Sequence, residues 1–457
     1  MNDQGHRRRR IRMLSLLFAA GLALTACLPG GGDDEEASAG ETAGAQTGGG
    51  QAGDPSQAGA DELVVWDIYV RGTERDVAEQ LTSEFEEEHG VTVTREPKNL
   101  DDLKATLPLA MGQDDGPDVA SVNQGRADMG AIVAAGGLMD LTDFGREQGW
   151  FDTWGDNLLA RNMFDESGEQ FGTGNLYGVA PQAEIVGWFY DRDTFDEHGL
   201  EPPSTFDELE QLLATLKDAG ETPITFGNLD AWPAIHTYGA IEHTFVDTAY
   251  LNSLIFDGDV SFDTQENAQA AETLQRWADQ GYFTENFSGI GYDDSWAQFA
   301  AGEGALLLTG SWIAGELDPE QVGFFLTPGD SAGALPPQTG GMGVPLAVRA
   351  GTDAPELARQ YVAWMTSERA AELWAEAWLP SRTPAADAVA DNPLMGELVG
   401  AWDQVLAEDQ LGHYLDWATP TFYDALTAQL QELLADRTEP RAFVEALQDD
   451  YAQSSQG

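Results

Sequence analysis

Leu63-Val64-Val65-Trp66 is a short apolar run, Asp76 to His89 sets Val77, Leu81 and Phe85 four residues apart among acids, and Val91-Thr92-Val93-Thr94 follows directly after Gly90. The first and third stretches read as strands. The second reads as a surface helix with one buried face, stopped by the glycine. Strand, helix and strand joined by connections this short make a parallel βαβ unit. Asp118 to Val122 predicts a third strand, followed by a helix from about Ala127 to Ala135. The grammar recurs downstream. Ile185 to Tyr190 reads as a strand, and Ser204 or Thr205 caps a helix running through Leu209. Ile224 to Phe226 and Ala305 to Leu308 read as short buried strands, with helices expected over 354–366, 368–377, 397–407 and 421–435. No internal repeat of fixed period is visible. The fold class is α/β, in two three-layer lobes.

The chain has 457 residues, 42% of them hydrophobic and 10% aromatic, enough for a large core and for more than one domain. Its formal net charge is −57. Phosphates are repelled from such a surface, which excludes electrostatic binding of nucleic acid and of anionic headgroups. The first twelve residues are basic, so the acid resides in the body from residue 61 onward. Lysine occurs only at 98, 104 and 217. An acidic, lysine-poor body reads as a surface tuned to high salt, which screens self-repulsion. The alternative is an ordinary acidic secreted protein.

The N-terminus sets a basic stretch, Arg7 to Arg12, before an apolar one, Met13 to Ala26, and then Cys27. This is the layout of an export signal over residues 1–26. The apolar run is shorter than the ~20 residues a spanning helix needs. Leu24-Thr25-Ala26-Cys27 resembles a bacterial lipobox, which implies acyl chains of the palmitate type on the Cys27 sulfur and cleavage just before it. Cys27 is the only cysteine, so no intramolecular disulfide is possible. Residues 28–60 are rich in Gly, Ala, Ser, Gln and acids, with no aromatic residue, and read as a flexible tether. The expected location is the extracellular face of the cytoplasmic membrane, held by the lipid on Cys27.

The motifs of common chemistries are missing. The histidines at 6, 89, 198, 236, 243 and 413 form no metal-binding spacing, and His89 and His198, each before a glycine, read as helix-end residues. No GxxxxGK[ST] loop occurs, and the one GxSxG string, Gly329-Asp330-Ser331-Ala332-Gly333, lies between Pro328 and Pro336 rather than at a strand-to-helix elbow. Gly340-Gly341-Met342-Gly343 runs into Val344-Pro345 rather than into a lysine or a helix. Nothing requires catalysis, a cofactor or a metal.

The positive signal is aromatic. Of thirteen tryptophans, Trp277, Trp364, Trp374 and Trp402 fit core positions of helices. Trp66, Trp232, Trp312 and Trp417 stand instead where strands end or loops begin, next to Asp, Gly, Ser or Pro. Ligands of open α/β sheets bind beyond the carboxyl ends of the strands. Aromatic faces beside Asp, Asn and Gln suit a sugar, whose apolar face stacks while its hydroxyls take planar hydrogen-bond partners.

The body resembles bacterial extracellular solute-binding proteins of the sugar-binding type, which feed ABC importers. The strongest piece runs from Leu176-Tyr177-Gly178-Val179-Ala180-Pro181 through Glu184 to Gly187-Trp188-Phe189-Tyr190-Asp191 and on to Phe195. Gly116 to Val119, Pro203 to Leu209, Phe299 to Ala305, Gly310-Ser311-Trp312 and Ala354 to Ala358 follow the same pattern in order. The resemblance implies two lobes, 61–181 plus 343–386 and 182–342 plus 387–457, closing on a ligand by a hinge. By position it implies that Asp67, Tyr69, Asn123 and Gln124 face the cleft from the first lobe. Glu184 would lie at the first crossing, and Asp230, Trp232, Tyr292 and Trp312 on the second lobe. Gly341 would allow close approach of ligand to the backbone, Asp416 and Trp417 would line the last loop, and Arg382 is a further candidate. Val122 and Gly125 depart from the maltose-binding pattern, which has an aromatic and an acid there.

The expected function is capture of a sugar, a di- or oligosaccharide, by a monomeric lipid-anchored protein that passes it to a permease without chemistry. The alternatives are a cell-surface glycoside hydrolase using two of the carboxylates, and the same fold taking a polyamine or another non-sugar solute.

Overall fold

The βαβ unit read from residues 63–94 founds the first sheet. Strands β1 (Glu62–Asp67) and β2 (Thr92–Pro97) run parallel, with Glu62 opposite Thr92, and α1 (Gly72–His89) connects them. The helix starts ahead of its apolar periodicity, because the Glu74 carboxylate accepts the amides of Val70 and Arg71 at 3.1 and 3.0 Å and closes the first turn. Val77, Ala78, Leu81 and Phe85 form its buried face. Gly90 ends it in a left-handed conformation, φ 68°. The buried face packs on the helix Pro355–Met365, where Tyr361 Oη lies 2.9 Å from Thr82 Oγ1. This computed structural model describes residues 61–258, 260–379 and 391–454.

Beside β1 lies β3 (Val119–Ser121), also parallel. After β2 comes α2 (Leu100–Ala110), whose N-cap Asn99 accepts from the Asp102 amide at 2.8 Å. The helix expected over 127–135 is instead a π turn, Arg126–Gly130, followed by one α turn, Ala131–Ala134. Gly125, at φ 87°, starts the wide turn and its carbonyl accepts from the Gly130 amide at 3.1 Å. Asn123 Nδ2 donates to Asp128 across it at 2.6 Å.

The second sheet is built on β4 (Ala183–Asp191), buried along its length except at Asp191. Such a continuous apolar strand is covered on both faces. It pairs antiparallel with β5 (Leu306–Gly310), β6 (Val322–Phe325) and β7 (Gln338–Met342). The chain then returns to the first sheet as β8 (Leu346–Val348), antiparallel to β3, and later adds β9 (Leu411–Gly412) parallel to β7. The two lobes are therefore joined by adjacent segments: Val179 bridges Leu346, and the Gly343 amide donates to the Gln182 carbonyl at 2.9 Å. Ile224 to Phe226 is not a strand. Only Ile224 forms β-bridges, to Phe283 and Leu306, before the chain turns toward the cleft.

The remaining expected helices are Phe206–Ala219, capped by Thr205, together with Glu368–Trp374, Pro393–Ala407 and Phe422–Leu434. His89 and His198 are the last residues of their helices. No helix among the described residues is long and apolar enough to cross a membrane.

Candidate ligand-binding cleft

A cavity of about 490 Å³ lies beyond the carboxyl ends of β1 and β3, between the lobes. The first wall comes from the ends of the parallel strands and the start of α2. Ile68, Val70 and Arg71 follow β1, Asn123 and Gln124 follow β3, and Asn99, Asp101 and Lys104 belong to the first turns of α2. Gln124 is fixed because its amide donates to the carbonyls of Met342 and Gly343, each at 3.0 Å.

The second wall is aromatic. Trp232 precedes Pro233, which begins the helix Pro233–Glu242 at a position where proline lacks only an unneeded N–H. Its ring lies 4.4 Å from that of Tyr292, the first residue of the helix Tyr292–Ala300. The Asp230 carboxylate accepts from the Tyr292 amide at 2.7 Å. Trp312, just past β5, donates from Nε1 to Tyr292 Oη at 2.6 Å, and that hydroxyl also meets Thr309 Oγ1 at 2.9 Å. The His236 ring sits 5.0 Å from Trp232, and burial holds its imidazole neutral, with the pKa down to about 3.

At the floor, Glu184 on β4 is buried and accepts from Tyr414 Oη at 2.7 Å. Burial lifts its carboxyl to about 7, against the hydrogen bond from Tyr414 and the charge of Arg161. Asp416 is pushed up to about 6 by burial, while Lys104 opposes that shift.

The cavity lining thus brings together Asn123, Gln124, Glu184, Asp230, Trp232, Tyr292, Trp312, Asp416 and Trp417. Three expected residues do not line it. Asp67 is buried and grips Arg95 with both oxygens, at 2.7 and 2.8 Å, so its carboxylate is used within the first lobe. Tyr69 is fully buried against Trp374, with ring centroids 4.7 Å apart. Gly341 has φ 154°, and a side chain there would meet not a ligand but the buried guanidinium of Arg161, 2.7 Å away. Arg161 donates to the carbonyls of Gly340 and Gly412, tying β7 to β9. Trp66 is also outside the cavity, covered by Lys98 at 4.3 Å. Arg382 and Cys27 lie outside the described residues.

Residues 80–399 match the family described as bacterial extracellular solute-binding protein. The chain belongs to that family. Over 208 residues it is 28% identical to the multiple sugar-binding protein of Streptococcus mutans, covering 44% of this chain and 49% of that relative. Over 274 residues it is 27% identical to an ABC transporter extracellular-binding protein of Pyrococcus horikoshii, covering 58% and 61%. The chain therefore spans about half to three fifths of the length of the curated relatives it matches. A solved chitin oligosaccharide binding protein superposes with a TM-score of 0.74 at 20% identity, over 87% of this chain and 100% of that one. That likeness establishes the two-lobed fold.

In this solute-binding protein the departures from the maltose-binding pattern have a packing reason. Val122 is fully buried, and at Gly125 a Cβ would lie 2.5 Å from the Trp417 ring, so the glycine makes room for that indole. The start of α2, with Asp101 and Lys104, was missed by sequence reasoning, as were Arg71, His236, Asp293, Tyr414 and Tyr423. Asp101, Asp102 and Lys104 stand in the sequence beside no aromatic residue and no recognisable motif. The helix carrying them is short and holds Pro108. Among the described residues no group of three His, Cys, Asp or Glu side chains could hold a metal.

Proposed function

We propose that this chain is the membrane-anchored, sugar-capturing component of an ABC importer, taking a di- or oligosaccharide and passing it unaltered to a permease. The observation that carries the reading is the meeting of Trp232, Trp312, Trp417 and Tyr292 with Asn, Gln and carboxylate side chains in one cavity. Its volume falls within the roughly 300–1,000 Å³ of small-molecule sites. Names of relatives that bind multiple sugars and chitin oligosaccharide support the same class of ligand. Lobes 61–181 plus 343–386 and 182–342 plus 387–457 would close on the sugar about the paired segments near residues 181 and 342. Closure requires a ligand that contacts both lobes. Cys27 would carry the lipid, with residues 28–60 as tether, holding a monomer at the extracellular face of the membrane.

Intrinsic tryptophan fluorescence titrated with a panel of oligosaccharides in molar salt tests the reading. Saturable quenching at micromolar sugar, with the sugar recovered intact, is the expected result. Recovery of shortened sugar would replace it with a hydrolase, and response to polyamines alone with a different ligand class.

A further inference from the structure

The basic side chains of the cleft already have partners. Arg71 lies 3.6 Å from Glu74 and 3.1 Å from Asp293. Lys104 sits 3.4 Å from Asp128 and 3.8 Å above the Tyr423 ring, where its charge also acts on Asp416. Among the described residues neither Asp101 nor Asp230 forms an ion pair with a base, although the charge of Lys104 also reaches Asp101. They stand on opposite lobes, Asp101 on the first turn of α2 and Asp230 ahead of Trp232. Burial raises the Asp101 carboxyl above its ordinary range and the Asp230 charge raises it further, while the charge of Lys104 opposes the shift. Like charges that face each other across a cleft oppose its closure.

Behind the lining of the same cavity, two buried polar atoms have no hydrogen-bond partner. The indole of Trp378, only 2% exposed, has an Nε1–H with no partner, and His236 Nδ1 is likewise unpartnered. The paired rings of Trp232 and Tyr292 lie next to Asp230.

We propose that the saccharide taken by this cleft carries a protonated amine, which lodges between Asp101 of one lobe and Asp230 of the other. The inference rests on the sugar-binding reading above and narrows it to amino sugars. The ammonium replaces the repulsion between the two carboxylates by two charge-assisted hydrogen bonds, and the Trp232 face adds a cation–π contact. A neutral sugar leaves the repulsion in place, so the ligand charge is coupled to lobe closure.

Calorimetric titration at pH 6 and constant ionic strength tests this with glucosamine oligomers of two to four units, their N-acetylated forms, and glucose oligomers of the same linkage. The amine forms should bind at least about tenfold tighter than the acetylated ones. That preference should vanish in the Asp101→Asn, Asp230→Asn double variant, whose melting temperature without ligand should be no lower than that of the parent. Equal or tighter binding of the neutral oligomers overturns the amine proposal and leaves sugar binding standing. Absence of binding by every oligomer overturns the sugar reading itself and the proposal with it.

Discussion

The Trp232 amide donates to the Asp230 carbonyl at 2.8 Å, across Ala231, whose φ is +66°. A bond from residue i+2 back to residue i around a positive φ is the rare, strained hand of the γ-turn. The turn folds the chain so that the Asp230 carboxylate reaches the Tyr292 amide while the Trp232 ring lies on the Tyr292 ring. Backbone strain held at a ligand site is a device for fixing side-chain direction.

Substitution at Ala231 should therefore follow backbone tolerance rather than size alone. Ala231→Gly keeps the turn and is expected to shift stability by less than about 1 kcal/mol. Ala231→Val puts a β-branched residue at positive φ, with an expected loss of about 1–3 kcal/mol and a fall in sugar affinity. Urea unfolding and sugar titration of both variants decide it, and equal behaviour of Gly and Val would show the turn to be unstrained.

Trp232 and Trp312 converge on Tyr292, one by ring contact and the other by a 2.6 Å hydrogen bond to Oη. Both are only partly buried, so they contribute less to the core than Trp188 or Trp277, which are fully buried. Truncation to alanine should cost about 2 kcal/mol of binding, roughly 30-fold in Kd. Thermal unfolding of the free protein should move by only a few degrees. A large loss of stability without loss of affinity would assign these rings to structure instead.

Periodicity made most of the fold legible, since α1, Phe206–Ala219 and the buried strand β4 carry plain apolar patterns. Of the aromatics at strand ends and loop starts, Trp232, Trp312 and Trp417 do line the cleft, whereas Trp66 at the end of β1 does not. What misled was pairing at a distance. Asp67 also stands at a strand end, yet Arg95 on the neighbouring parallel strand takes its carboxylate, and no local pattern announces that pair. Gly341 similarly answers to Arg161, a guanidinium far away in the chain. Tyr414 and Tyr423 enter the cleft from the last part of the chain, where the sequence shows only helix and loop signals.

Because the chain's net charge of −57 resides almost wholly in the body from residue 61 onward, the body should depend on salt for its stability. Asp76, Glu79, Glu87 and Glu88 are exposed along α1 alone, with Arg75 as the nearby base. The Debye length grows from about 3 Å at 1 M to about 10 Å at 0.1 M, so mutual repulsion reaches further as salt falls. The melting temperature is expected to drop by several degrees between 2 M and 0.1 M NaCl. Sucrose at matched osmolality strengthens burial without screening charge and should not restore it. Full rescue by sucrose would attribute the effect to solvent exclusion rather than to charge.

Glu184 gives the chain a second solution dependence, on pH. Burial holds its carboxyl near 7 in the folded protein, whereas an unfolded glutamate titrates near 4.3. Between those values the folded state keeps a proton that the unfolded state has released. Stability therefore falls as pH rises through that window, with a slope of up to about 1.4 kcal/mol per unit, and levels off above it. Glu184→Gln retains an acceptor for Tyr414 Oη, now 2.7 Å from Oε1, but has no proton to lose. The stability of the Gln variant relative to the parent should rise by on the order of 2 kcal/mol between pH 5 and pH 8. Parallel urea unfolding at the two pH values measures that difference, and a flat difference would mean that the cleft floor solvates the Glu184 charge at no cost.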